Sequence, residues 1–132
     1  MRTGVDLISV QRLQAVLERY GERFLDRVFS QEEKRICKSD PRRLAGRYAA
    51  KEAVSKALGT GIGREGVTFQ GIEIVSDTFG APRVVLHGAA LELFEKLGGQ
   101  SLSLSISHEN DYAVAFCVLT LKGRTGEGAD RE

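Results

Sequence analysis

Between Pro41 and Gly59 the chain carries an uninterrupted helical pattern, and this stretch constrains the rest of the molecule most. Proline is tolerated at the first helical position and glycine favoured just past the last, so both ends of a Pro41–Leu58 helix are written in the sequence. At about 100° per residue, Ala45, Tyr48, Ala49 and Ala53 share one face, with Glu52 and Lys56 in the middle of it. An exposed i,i+4 Glu–Lys bridge contributes only a few tenths of a kcal/mol. Charge set within packed alanines is costly without partners. The surrounding alanines therefore favour a functional role for Glu52 and Lys56. Arg47 and Lys51 lie on an adjacent stripe, also four residues apart.

The flanking segments supply partners for such a helix. Thr3–Ile8 reads as a first strand, after which Ser9 caps a helix with Val10, Leu13, Leu17 and Tyr20 at helical spacing and Gly21 as its stop. Glu22–Phe29 continues as a second helical piece, and Ser30-Gln31-Glu32-Glu33 is a capping-box pattern opening a third. Val67–Val75 and Arg83–Leu86 read as strands joined by a turn with Gly80 and Pro82, and Gly88–Leu97 as a helix. In Ser101–His108 serines alternate with Leu102, Leu104, Ile106 and His108; after a turn, Tyr112–Leu121 returns as a more continuously apolar strand. The expected class is α+β, an antiparallel sheet packed against helices that include one long one.

The 132 residues suit one domain, expected over 1–121, with Gly-rich, charged 122–132 as a disordered tail. With 42% hydrophobic and 28% charged residues the composition is that of an ordinary globular protein. No apolar run approaches the roughly 20 residues of a membrane span, and the N-terminus lacks a signal-peptide core. Cys37 and Cys117 have no metal-ligand or redox spacing, as expected of reduced packing thiols in a cytoplasmic protein. A net charge of +1 hides an asymmetry: residues 1–64 carry 14 Lys/Arg against 8 Asp/Glu, residues 65–132 carry 5 against 10. Such a split can steer an acidic partner to the first half or let subunits meet head to tail.

Three further features suggest chemistry. Leu58-Gly59-Thr60-Gly61-Ile62-Gly63 follows the long helix, and with Arg47 and Lys51 upstream its backbone makes a candidate polyphosphate site, although a P-loop precedes its helix. Asp6, in Val5-Asp6-Leu7-Ile8, either caps the next helix or pairs in space with Glu52. Two carboxylates with room for phosphate and water are what magnesium prefers. His108, beside Glu109-Asn110-Asp111, is either a satisfied polar residue at a turn or a contact to the phosphate site.

In this order and spacing, Gly4-Val5-Asp6-Leu7 with Arg12, Phe29-Ser30-Gln31-Glu32-Glu33, Arg47-Tyr48-Ala49-Ala50-Lys51-Glu52-Ala53, Lys56-Ala57-Leu58-Gly59-Thr60-Gly61, Gly80-Ala81-Pro82 and Ser105-Ile106-Ser107-His108 form a specific set. Over roughly residues 3–119 the chain resembles the holo-acyl-carrier-protein synthase family of 4′-phosphopantetheinyl transferases. The resemblance implies transfer of the phosphopantetheine arm of coenzyme A to a serine of an acyl carrier protein, a step serving fatty acid biosynthesis. It implies Mg2+ on Asp6 and Glu52, with Lys56 completing the catalytic set and the general base open between Glu52 and a water. Coenzyme A contacts are implied for Arg47, Lys51, Lys56, Gly59, Thr60, Gly61, Pro82 and His108, and a carrier-protein contact for Arg12. A homotrimer with sites between subunits is implied as well. From another class, the basic first half also fits a small nucleic-acid-binding module, against which stands an isoelectric point near 7.8.

Overall fold

The computed structural model describes residues 1–123. In chain order the elements are β1 (Arg2–Ser9), α1 (Val10–Tyr20), α2 (Glu22–Val28), α3 (Gln31–Cys37), α4 (Pro41–Leu58), β2 (Ile72–Ser76), β3 (Pro82–Leu86), α5 (Gly88–Lys96), β4 (Gly99–His108) and β5 (Tyr112–Leu121). The fold is α+β, as expected. The tail proposed from Lys122 lies, beyond Gly123, outside the described residues.

Three strands form an antiparallel sheet in the order β1-β5-β4, and β2 and β3 form a separate hairpin. Helix α4 lies along one face of the sheet. Small residues allow the close approach: Ala49, Ala50, Ala53 and Ala57 of α4 are buried with Ala115, Cys117 and Leu119 of β5. At Gly4 of β1 the space closes altogether, because a side chain there would run into the Ala53 carbonyl. The alternation of β4 holds, with its serines outward and Leu102, Leu104 and Ile106 packed against the core. A second apolar cluster joins α1, α2 and α3 to the N-terminal half of α4 through Leu13, Val28, Phe29, Leu44 and Ala45.

Helix α4 is held at both ends. The Asp40 carboxylate accepts from the Arg42 amide at 2.9 Å. At the other end Arg2 donates to the carbonyls of Ala57 (2.7 Å) and Leu58 (3.3 Å), placing a cation at the negative pole of the helix. The expected caps appear at Ser9, whose hydroxyl accepts from the Arg12 amide, and at Ser30, where the capping box with Glu33 is complete.

Two expectations change. Helix α4 is buried nearly all round rather than on one stripe; beyond its first turn, Arg47, Tyr48, Glu52 and Lys56 are its residues that keep exposure. The strand expected from Val67 begins only at Ile72, because residues 67–71 form turns; the carbonyls of Phe69 and of Ile72 accept from Lys51. Cys37 and Cys117 are buried and free, and burial pushes both thiols up to about 11. Among the described residues no helix is long and apolar enough to cross a membrane.

Candidate active site

Register determines which way Asp6 faces. It pairs with Ala115, a buried residue of the α4-facing side, so its side chain shares that side. Tyr48, Glu52 and Lys56 recur at i,i+4 along the edge of α4. Asp6, Glu52, Tyr48, Ser9, Arg12 and Phe24 line a single cavity of about 320 Å³. Lys56 does not line the cavity but bonds to the same carboxylate, its ammonium 3.1 Å from Asp6 Oδ1 and 3.0 Å from the Val5 carbonyl oxygen.

The two carboxylates strain one another. Burial first, and then the negative charge of Asp6, raise the proton affinity of Glu52; Lys56 and a hydrogen bond from Tyr48 act the other way. A divalent cation held between them would relieve that repulsion. Among the described residues no group of three or more Asp, Glu, His or Cys side chains could hold a metal. Two carboxylates match magnesium, which takes one or two protein ligands and fills its shell with phosphate oxygens and water. The residues present therefore fit the ion.

Other candidate residues lie elsewhere. Lys51 is fully buried, its ammonium bonded to Glu33 Oε1 (2.8 Å) and to the carbonyls of Phe69 (2.8 Å) and Ile72 (2.7 Å). All three of its hydrogens are engaged, which corrects the expectation that it grips a phosphate. The amides of Gly59, Thr60 and Gly61 all point back to the Ser55 carbonyl, at 3.1, 3.3 and 3.1 Å. They close α4, so this loop offers no cradle of free amides. Arg47 donates to Ser76 Oγ at 2.9 Å, while its buried Nε has no partner; Ser76 pairs with Pro82, so these three meet at the turn end of the hairpin. His108 lies over Gly46 on the opposite edge strand from Asp6. One chain thus gathers Asp6, Glu52, Lys56 and Arg12, and holds Arg47, Pro82 and His108 apart from them.

Comparison with known proteins shows the family. The family model described as the 4′-phosphopantetheinyl transferase superfamily matches residues 2–117. The chain belongs to that superfamily. A holo-[acyl-carrier-protein] synthase of Shewanella amazonensis is 50% identical over 119 residues, covering 88% of this chain and 94% of the relative. Among solved structures, the Helicobacter pylori holo-[acyl-carrier-protein] synthase in complex with coenzyme A superposes with a TM-score of 0.82 at 37% identity, covering 89% of this chain and 99% of that one. The apo synthase from Chronobacterium ammoniagenes gives 0.78 at 39% identity, covering 91% and 96%.

Within this superfamily member, sequence reasoning missed two contributors. Glu33 was visible only as the capping-box glutamate, yet its Oε2 also accepts the Ile74 amide at 2.6 Å and its Oε1 meets Lys51. No local pattern records those distant partners. Tyr48 was visible as a residue of the alanine face; that it lines the cavity beside Glu52 follows from the i,i+4 spacing.

Proposed function

We propose that the chain transfers the 4′-phosphopantetheine arm of coenzyme A to a serine of an apo acyl carrier protein, releasing adenosine 3′,5′-bisphosphate. The observation that carries this is the Asp6–Glu52 carboxylate pair, set in one cavity that Arg12 also lines, with Lys56 bonded to Asp6. Asp6 and Glu52 would hold Mg2+. The chemistry a bound magnesium supplies there is positive charge against the diphosphate and the departing phosphate oxygen. Lys56, half exposed, can leave Asp6 to neutralise a substrate phosphate. The serine oxygen bonds to the β-phosphorus as the bridging P–O bond breaks, and the serine proton passes to Glu52 or to a water. Exposed Arg12 faces the acidic carrier.

We also infer a single domain over residues 1–121, a cytoplasmic setting and a homotrimer with shared sites. Two observations support sharing. Arg47, Pro82 and His108 lie away from the Asp6–Glu52 cavity of their own chain, so one extended ligand reaches both sets most simply across two chains. The sheet face opposite α4 exposes Val5, Leu7, Val114 and Phe116 in facing register, the kind of apolar patch a neighbouring copy covers. Nothing in the fold favours the nucleic-acid-binding alternative.

Incubating the protein with coenzyme A, Mg2+ and an apo carrier, then weighing the carrier, tests the proposal. The expected result is the mass gain of one phosphopantetheine arm. An unchanged carrier mass with a folded protein overturns it.

A further inference from the structure

Asp6 is placed by the way its strand lies on α4. Arg2, Gly4 and Asp6 alternate onto one side of β1, paired with buried Leu119, Cys117 and Ala115 of β5, and that side faces the helix. Gly4 sets the depth of the contact: a Cβ there would run into the Ala53 carbonyl oxygen and stand 2.8 Å from the Ala57 amide nitrogen. It does not set the position along the helix. A glycine has no side chain to interlock, and the neighbouring contacts set Ala53 and Ala57 among Ala115 and Cys117, small residues that form low ridges. Two cations tie β1 to α4 at either end of this smooth contact. Lys56 donates to the Val5 carbonyl at 3.0 Å and to the Asp6 carboxylate at 3.1 Å. Arg2 donates through Nε to the Ala57 carbonyl at 2.7 Å and through Nη2 to the Leu58 carbonyl at 3.3 Å.

We propose that Arg2 is a positioning residue, whose guanidinium fork fixes β1 lengthwise on the end of α4 and so keeps Asp6 in the cavity with Glu52. The fork meets two successive carbonyls from two nitrogens of one rigid plane, so a strand that slips along the helix loses both bonds together. Both carbonyls belong to the last helical turn, which has no further amides of its own to offer them. Gly59 leaves the fork its room, since a Cβ there would run into the guanidinium. Lys56 is the less constant anchor, because the proposed reaction draws it from Asp6 to a substrate phosphate. Arg2 is bonded to backbone rather than to a catalytic carboxylate and keeps its hold through that step. This rests on the assignment of Asp6 and Glu52 as a divalent-cation site.

The test is Mn2+ binding to the protein, read by the loss of free-ion EPR signal, for wild type, Arg2→Met, Arg2→Lys and Glu52→Gln. Methionine keeps an unbranched apolar stem and removes both bonds. Lysine keeps a cation at the negative pole of α4 but offers one nitrogen in place of two. Both Arg2 variants should bind Mn2+ about fivefold more weakly, well inside the roughly hundredfold that an ångström of misplacement can cost. The Mg2+ concentration for half-maximal transfer should rise by the same factor. The melting temperature should separate the two, with Arg2→Lys close to wild type and Arg2→Met below it. A cap that only stabilises the helix would move the melting temperature alone. Wild-type Mn2+ affinity in a folded Arg2→Met, while Glu52→Gln loses binding, therefore overturns the role of Arg2 only. Wild-type affinity in Arg2→Lys beside weakened binding in Arg2→Met overturns it too, since charge without the fork would then suffice. Mn2+ affinity unchanged in Glu52→Gln overturns the cation site itself, and the role of Arg2 with it.

Discussion

Two lysine–carboxylate pairs hang from the same helix, and their surroundings separate them. Lys51 and Glu33 meet at 2.8 Å with both side chains 0% exposed; Lys56 and Asp6 meet at 3.1 Å with 49% and 19% exposed. The distances are nearly equal, so Coulomb attraction at contact does not distinguish them; solvent and remaining partners do. In the closed pair each polar atom has a use. Glu33 accepts from Ser30, Ile74 and Lys51, and Lys51 serves two further carbonyls. In the open pair, Asp6 has a second carboxylate beside it and a cation that is free to leave. A saturated buried network fixes α3, α4 and β2 together, whereas an undersaturated one at a cavity is available for chemistry.

The sharpest way to break this contrast is Glu52→Gln. The amide keeps the size of the side chain and loses the charge that would hold magnesium. Transfer should fall at least about a hundredfold, as when metal stabilisation worth several kcal/mol is lost. The melting temperature should hold or rise slightly, because a partly buried carboxylate no longer faces Asp6. Turnover at the wild-type rate with unaltered Mg2+ dependence would remove the centre of the mechanism.

The closed pair should behave in the reverse sense. Lys51→Met leaves Glu33 buried without its cation and should cost about 3–5 kcal/mol of stability in a denaturant melt. Lys56→Met removes a half-exposed partner and should change stability by less than about 1 kcal/mol while transfer collapses. If Lys51→Met were as stable as wild type, the closed network would not be the clamp described above.

How much of this could be read beforehand follows the same division. Periodicity and end signals are local, so α4 was legible to its last residue, as were the caps at Ser9 and Ser30 and the alternation of β4. The placement of Asp6 beside Glu52 required β1 to pack on α4, a tertiary fact for which the sequence offered only the motif resemblance. The role of Lys51 was misjudged for a physical reason. Its i−4 neighbour Arg47 suggested a basic stripe, whereas its partners Glu33, Phe69 and Ile72 lie 18 to 21 positions away. The same partners turned Val67–Gly71 out of the expected strand. The glycine run was judged by composition, and only the shared Ser55 carbonyl reveals that its amides are spent.

A third charge, outside both pairs, sharpens the comparison with a smaller effect. Arg12 is exposed on α1 at the cavity lip and has no role in holding the fold beyond its backbone amide at Ser9. Arg12→Ala should raise the KM for the carrier several-fold and flatten its salt dependence, with coenzyme A affinity unchanged. Steady-state kinetics at two ionic strengths would settle it. Loss of coenzyme A binding with an unchanged carrier KM would place the carrier on another face.

The smallest effect concerns pH in the metal-free protein. The folded-state proton affinity of Glu52 is raised, by burial and by Asp6. Between the ordinary carboxylate value, about 4.3, and that raised value, the folded chain binds more protons at this site than the unfolded one. Stability from Glu52 is therefore present below the ordinary value and lost as pH rises through the raised one. Glu73 runs oppositely: a hydrogen bond from Ser30 and then its contact with His87 lower its value, so its contribution is present at neutral pH and lost in acid. Subtracting the melting temperatures of Glu52→Gln from those of wild type at each pH cancels Glu73 and every other shared group. The difference should favour wild type most in weak acid and decline toward neutrality, by on the order of a few degrees. Saturating Mg2+ at neutral pH should raise the wild-type value and leave the variant unmoved, since only the intact carboxylate pair gains the ion. A difference that stays flat with pH would mean that Asp6 and Glu52 do not crowd one another, and the open pair would then lack the undersaturation that sets it apart from the closed one.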